Sequence, residues 1–329
     1  MSLTIQPYCA ELKSVWDQMV HEARQSSFLF CRDFMDYHKH RFHDASLLVF
    51  NQHQQLLALF PACVSLKNSH RVESHGGLTY GGLLLSPHAT TAVVDEILHD
   101  CILYYRSAGF TELIYKPVPH IYQTYPAEED LYALFRHHAL LETRAVSSVI
   151  DLRNPYPFNS LRKRKSKKAN KVLTYVESES PENVAGFWRM LNEVLCERHH
   201  TAPVHNLVEL EYLLHQFPGH IRLFVAFKSN EDSQPSDEMV AGCLLFIMSR
   251  VIHVQYIASS DEGCRLGALD GLFDYLLHTL PERYPDKPYF DFGISTEEGG
   301  RVLNEGLIFQ KEGFGGRAVC YDSYLLNLQ

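Results

Sequence analysis

Asp291 stands between Phe290 and Phe292 in the segment YFDFGI (289–294). On a strand its carboxylate points to the face opposite the two rings. A carboxylate in such apolar surroundings is driven toward its neutral form and can take a proton from an amine. The same group can instead bond a loop N–H and hold the end of a sheet together. Tyr256 lies near the end of VIHVQYIA (251–258), where a phenol can protonate a leaving thiolate or hydroxyl, or pack with its hydroxyl satisfied. His253 is expected on the opposite face of that strand. Just downstream, Ser259, Ser260, Gly263 and Gly267 bring backbone N–H groups to the start of a helix, and Arg265 adds a cation. That combination suits a phosphate, although serine and glycine also make an ordinary capped turn between strand and helix.

Further candidates lie elsewhere. The segment ESHGGLTYGG (73–82) has paired glycines that weaken a strand unless a bulge or close backbone approach needs them. It reads either as a bulged strand or as a cleft lining in which His75 and Tyr80 contact an acceptor. Seven basic residues and no acidic one fall between Arg162 and Lys171, a run that can meet phosphates or form a solvated helix face. Removing those seven from 30 basic residues leaves 23 against 39 acidic ones, a balance of −16 for the remainder. An acidic body with one basic segment argues against general nucleic-acid coating and for a single local phosphate site. Lys311 and Arg317 flank Gly313–Gly316 and either extend that positive patch or are solvent-exposed turn neighbours. No G-x-S-x-G elbow, Cys/His nucleophile signature or P-loop occurs. The 19 histidines include no zinc spacing, so no metal is expected.

These residues need elements to hold them. In the second half, Ser180-Pro181-Glu182 opens a helix running to about His199. Ile221–Phe227 and Met239–Met248 form a hairpin around a polar insertion, Ser229–Glu238, and Val251–Ala258 is a third strand. A polar loop, Ser259–Arg265, precedes a helix with Leu269, Leu272, Phe273, Leu276, Leu277 and Leu280 on one stripe. Tyr289–Ile294, a helical segment near Arg301–Phe309 and a final strand, Ala318–Leu326, complete the order. The first half repeats it: a helix from Leu12 to Ala23, a hairpin of Ser46–Phe50 with Gln55–Val64, a strand Val72–Leu85, a helix Thr91–Tyr105, a strand Thr111–Lys116, a helix Leu131–His138 and a strand Ala145–Leu152. The chain is therefore an internal duplication of an α/β module, each copy a mixed β-sheet flanked by helices, with domains 1–152 and 153–329. Its 329 residues suit two domains of roughly 150 residues. No apolar run reaches the ~20 residues that span a bilayer. The eight cysteines form no CxxC pair and sit mostly in apolar segments, as buried thiols of a reducing compartment would; the cytoplasm is expected.

The order of elements resembles the GNAT fold, and its doubling resembles the FemAB-type branch of that superfamily. Three stretches carry the resemblance: FNSLRKRKSKKANKV (158–172), YIASSDEGCRLGALDGLFDYLL (256–277), and YFDFGI (289–294) with LNEGLIFQKEGFGG (303–316). The resemblance implies two tandem GNAT-like modules, the first on the acceptor side and the second on the donor side. It implies an N-acyltransferase moving an acyl or aminoacyl group from a thioester or ester donor to an amine, with acyl-CoA favoured as donor. Direct attack then needs an anchored donor, a deprotonated amine and oxyanion stabilisation, and no enzyme nucleophile. The family's pyrophosphate loop stands here as Glu262-Gly263-Cys264-Arg265-Leu266-Gly267-Ala268, and a helical-hairpin insertion found in some cell-wall members is absent. Two other readings accompany the first. One is aminoacyl transfer from tRNA to a peptidoglycan precursor, and the other is a non-catalytic tandem binding module. Expected partners are a small-molecule or peptide amine and, under the second reading, a nucleotide-linked precursor or tRNA.

Overall fold

The structure is a computed structural model that describes residues 2–229 and 235–329. The chain forms two compact units. The first comprises Met1–Val146, Thr296–Leu303 and Val319–Gln329; the second comprises Ser147–Ser295 and Asn304–Ala318.

In the first unit the order is β1 (Leu3–Pro7), α1 (Lys13–Glu22), α2 (Arg32–Asp36), β2 (Leu47–Asn51), β3 (Leu56–Phe60), β4 (Ala62–Val64), β5 (Arg71–Ser74), β6 (Leu84–Leu85), α3 (Thr91–Ser107), β7 (Glu112–Tyr115) and α4 (Glu129–Arg136). Strands β1, β2, β3 and β6 form an antiparallel sheet. A second sheet runs β4, β5, β7, then the chain's last strand. The expected strand Gln55–Val64 breaks at Pro61, which lacks an N–H to donate to a ladder, and its two parts enter different sheets. The expected strand Val72–Leu85 also divides. Side chains satisfy the backbone between its two ends: Gly82 N–H donates to Ser74 Oγ (3.2 Å), Leu83 N–H to Tyr115 Oη (2.7 Å), and Lys116 Nζ to the His75 and Leu78 carbonyls. The α3 stripe of Val94, Ile97, Leu98, Cys101, Ile102 and Tyr105 is buried in the core, as its spacing predicts.

The second unit opens with the end of β8 (Leu140–Asp151), of which Ser147–Asp151 belongs here. There follow α5 (Ser160–Ala169), β9 (Leu173–Ser178), α6 (Pro181–His199), α7 (Leu207–Gln216), β10 (Ile221–Ser229), β11 (Pro235–Ile247), β12 (Val251–Ser259), α8 (Asp261–Leu266), α9 (Ala268–Arg283), β13 (Tyr289–Ile294), a short pair β14 (Thr296–Glu297) and β15 (Val302–Leu303) counted with the first unit, α10 (Glu305–Gly313) and β16 (Arg317–Asn327). The sheet order is β8, β13, β12, β11, β10, β9. Only the β12–β13 pairing is parallel. Part of the polar insertion, 230–234, lies outside the described residues. Strand β9 and helix α7 are additions to the elements expected from the sequence. The two units thus differ from the contiguous halves 1–152 and 153–329 at their closing strands, because β16 bonds β7 through Tyr324–Asn327 while Ser147–Asp151 bonds β13.

On one face of this sheet α9 buries Leu272, Phe273, Leu276 and Leu280 against Ile252, Val254, Phe290 and Phe292; each such side chain contributes roughly 2 kcal/mol. The expected polar loop Ser259–Arg265 is instead helix α8. Ser260 caps it, Asp261 and Glu262 occupy its first turn, and Gly267 (φ 75°) ends it in the left-handed conformation. No disulfide joins the eight cysteines; Cys31, Cys63, Cys101 and Cys243 are buried and the other four exposed. Among the described residues no helix is long and apolar enough to cross a membrane.

Candidate active site

Strands β12 and β13 run side by side for three rungs only, Val251–Tyr289, Ile252–Phe290 and His253–Asp291. Beyond them β12 continues on β11, while β13 turns aside at Gly293, whose φ of 78° few other residues adopt. The two strands part at that point. A parallel pair that separates in this way frees backbone groups of both strands, and the side chains around the fork fall into two sets.

Asp291 is wholly buried. Its Oδ1 accepts from Ser147 Oγ and from the Gly293 N–H (2.9 Å), and its Oδ2 lies 3.0 Å from His253 Nδ1. It therefore organises the turn and orients the imidazole. Lys311 reaches the same turn from α10. Its Nζ donates to the Gly293 and Ile294 carbonyls, both at 2.8 Å. Burial pushes its pKa down to about 8, opposed by the charge of Asp291. Arg317 is not part of this group: it is exposed, with its guanidinium 4.6 Å above the Tyr156 ring.

Regular strand alternation places Tyr256 and His253 on opposite faces of β12. The register corrects this. Leu244 pairs with Tyr256 but Leu245 with Val254, leaving Gln255 as a bulge that shifts the alternation by one residue. Ile252 and Val254 belong to the core under α9, and Ile257 packs against it. His253, Tyr256 and Asp291 consequently share the other face, beneath α6. There Tyr256 Oη lies 2.6 Å from His205 Nδ1, and its ring meets Trp188 edge to face at 5.3 Å. Burial raises the phenol's pKa above its ordinary value. A bulge cannot be read from residue types here, and His205, on the connection between α6 and α7, carries no sequence signal.

At the C-terminal end of β12 a cavity of about 410 Å³ opens. Ser259, Gly263 and Gly267 line it, together with Arg162 and Lys165 of α5 and Gln310 of α10. Ser260 instead caps α8, its Oγ accepting from the Gly263 N–H at 3.1 Å. Arg265 points outward and pairs with Glu262 (2.6 Å). The candidate donor residues are thus adjacent in space but not equivalent.

His75 and Tyr80 lie in the first unit, both buried. Burial holds the His75 imidazole at a pKa of about 3, and its ring lies against His38 and Phe42. Tyr80 packs with Phe30, Tyr122 and Tyr321. Both side chains belong to the aromatic packing of that unit. Among the described residues no His, Cys, Asp and Glu group could hold a metal ion.

No family model and no curated protein matches the sequence. Solved structures do match. FemX covers 99% of this chain and 97% of its own, with a TM-score of 0.69 at 11% identity. L-PGS from Bacillus licheniformis covers 98% and 93%, with a TM-score of 0.61 at 14% identity. A tandem GNAT protein from the clavulanic acid biosynthesis pathway covers 100% and 99%, with a TM-score of 0.52 at 10% identity. The chain has the fold of these proteins: mixed sheets flanked by helices, in two GNAT-like modules.

Proposed function

We propose that this protein is an N-acyltransferase, moving an acyl or aminoacyl group from an activated donor to an amine by direct attack. The parting of β12 and β13 beside the buried Lys311 ammonium carries the reading, because it sets a fixed cation next to backbone freed from the sheet. In this reading the donor's carbonyl lies at the fork, and its body extends past the end of β12 into the 410 Å³ cavity. The amine attacks the carbonyl carbon, and the oxyanion that forms is held by Lys311. The amine's proton passes to His253, with Asp291 as its positioning residue. Collapse expels the donor's thiolate or hydroxyl, which Tyr256 protonates. Asp291 thus acts through His253 rather than as the base itself. The apolar surroundings of the fork strengthen each electrostatic contribution.

Acyl-CoA is the first donor to test. A second reading, aminoacyl transfer from tRNA, has its own support: α5 exposes Lys163, Arg164, Lys165, Lys167 and Lys168, a stripe suited to a sugar-phosphate backbone. FemX and L-PGS are among the similar folds. The experiment offers radiolabelled acetyl-CoA and a pool of labelled aminoacyl-tRNAs separately, each with a panel of amines including amino sugars and peptides. Label moving to an amine in wild type, and much more slowly in Lys311→Met, supports transfer. Transfer from neither donor leaves the chain a non-catalytic binding module.

A further inference from the structure

The first turn of α8, where serine and glycine suit a phosphate by residue type, is closed to one. The Gly263 N–H is taken by Ser260 Oγ, and a Cβ on Gly263 would stand 2.1 Å from the Val240 carbonyl oxygen. Asp261 and Glu262 occupy that turn and repel an anion. The cation that the sequence offers there, Arg265, keeps 73% of its side chain exposed and is paired with Glu262.

Across the same cavity α5 presents the opposite arrangement. Arg162 and Lys165, one turn apart, both line it. Arg162 is only 6% exposed. Its Nη1 donates to Asp270 Oδ1 at 2.6 Å, its guanidinium lies 5.5 Å from the Phe314 ring centre, and its Nε has no partner among the described residues. Asp270 also lines the cavity, and Lys165 forms no ion pair among the described residues, so these three groups leave one net positive charge facing the space. Burying a guanidinium is costly when a single carboxylate is its partner, and an anion on its remaining N–H groups would offset that cost.

We propose that Arg162 and Lys165 form a phosphate subsite, so that the donor's phosphate ester is gripped by α5 and not by the backbone of α8. The proposal rests on the reading that this cavity takes the activated donor. The shared chemistry is a nucleotide phosphate, supplied either by coenzyme A or by the 3′ end of tRNA.

The test measures melting temperature and calorimetric affinity of the full chain with inorganic pyrophosphate, coenzyme A and uncharged tRNA. Pyrophosphate and one of the two larger probes are expected to bind, and which one binds identifies the source. Lys165→Gln and Arg162→Gln are each expected to weaken binding by about tenfold or more, whereas Arg265→Gln binds as wild type. Arg162→Gln leaves Asp270 buried without its partner; if it does not fold, the exposed Lys165→Gln decides the matter. Binding unchanged in Lys165→Gln, binding lost in Arg265→Gln, or no binding of any probe overturns the subsite. A wild type that binds through Lys165 yet acylates no amine sinks the proposed function and leaves the subsite standing. A wild type that transfers with a donor KM unmoved by Lys165→Gln does the reverse.

Discussion

His253 Nδ1 lies 3.0 Å from Asp291 Oδ2 across the last rung on which β12 and β13 still pair. The carboxylate fixes the ring's tautomer at the point where the two strands separate. Replacing the two residues should therefore have different consequences. Asp291→Ala leaves Ser147 Oγ and the Gly293 N–H without their buried acceptor and is expected to cost about 2–4 kcal/mol of stability. His253→Gln is expected to fold and to lower the rate of transfer to every amine acceptor by about a hundredfold or more, because each must give up an N–H proton after attack. Urea denaturation and initial rates check this, and a folded His253→Gln that transfers at the wild-type rate would remove His253 from proton transfer.

Lys311 makes a prediction in pH. Its pKa is pushed down to about 8 by burial, and the ammonium is the form that holds an oxyanion. The rate of transfer should therefore fall as pH rises through about 8. In Lys311→Met the remaining slow rate should lack that limb. A wild-type profile flat from pH 7 to 9 would contradict the assignment.

The Arg162–Asp270 pair, both members buried, separates breaking a pair from deleting it. Arg162→Met alone should destabilise by about 3–5 kcal/mol, because Asp270 remains as a buried unpaired charge. Adding Asp270→Leu should recover most of that loss. The double variant should nevertheless stay weak in pyrophosphate binding. Chemical denaturation of Arg162→Met, Asp270→Leu and the double variant gives the cycle, and a double variant no more stable than Arg162→Met would refute it.

Asp130, in the first unit, bears on stability. It accepts from Tyr115 Oη at 2.7 Å, and burial pushes its carboxyl up from 3.8 to about 7. A raised acid pKa means that the folded state holds the proton where the unfolded chain has released it. The stabilisation is complete below about pH 4, declines as pH rises toward 7, and is constant above that. Asp130→Asn should flatten this slope between pH 4 and 7. The comparison is urea stability at pH 5, 6 and 8, and an unchanged slope in the variant would count against it.

Much of the scaffold is readable from residue order. The helical stripes of α3 and α9 and the Ser180 cap of α6 appear where the spacing puts them, because apolar periodicity and capping are local properties. The GNAT-like order of the elements is readable for the same reason. Asp291 and Lys311 also stand out, one as an acid between two rings and the other beside a glycine turn. Their adjacency through Gly293 does not.

What only the tertiary structure decided are properties of pairing and burial. The Gln255 bulge puts Tyr256 on the face of His253 and Asp291, and no residue type announces it, since the shift exists only relative to β11. Helix α8 replaces the expected loop because Ser260 finds the Gly263 N–H and Asp261 and Glu262 favour its positive end. The same charges that stabilise that turn close it to a phosphate. Arg162 and Lys165 read in sequence as part of a uniform basic run. Folding separates the buried Arg162, held by Asp270 from 108 positions away, from the exposed cations around it. Local patterns determine which elements form, whereas charge and burial at a site depend on partners distant in the chain.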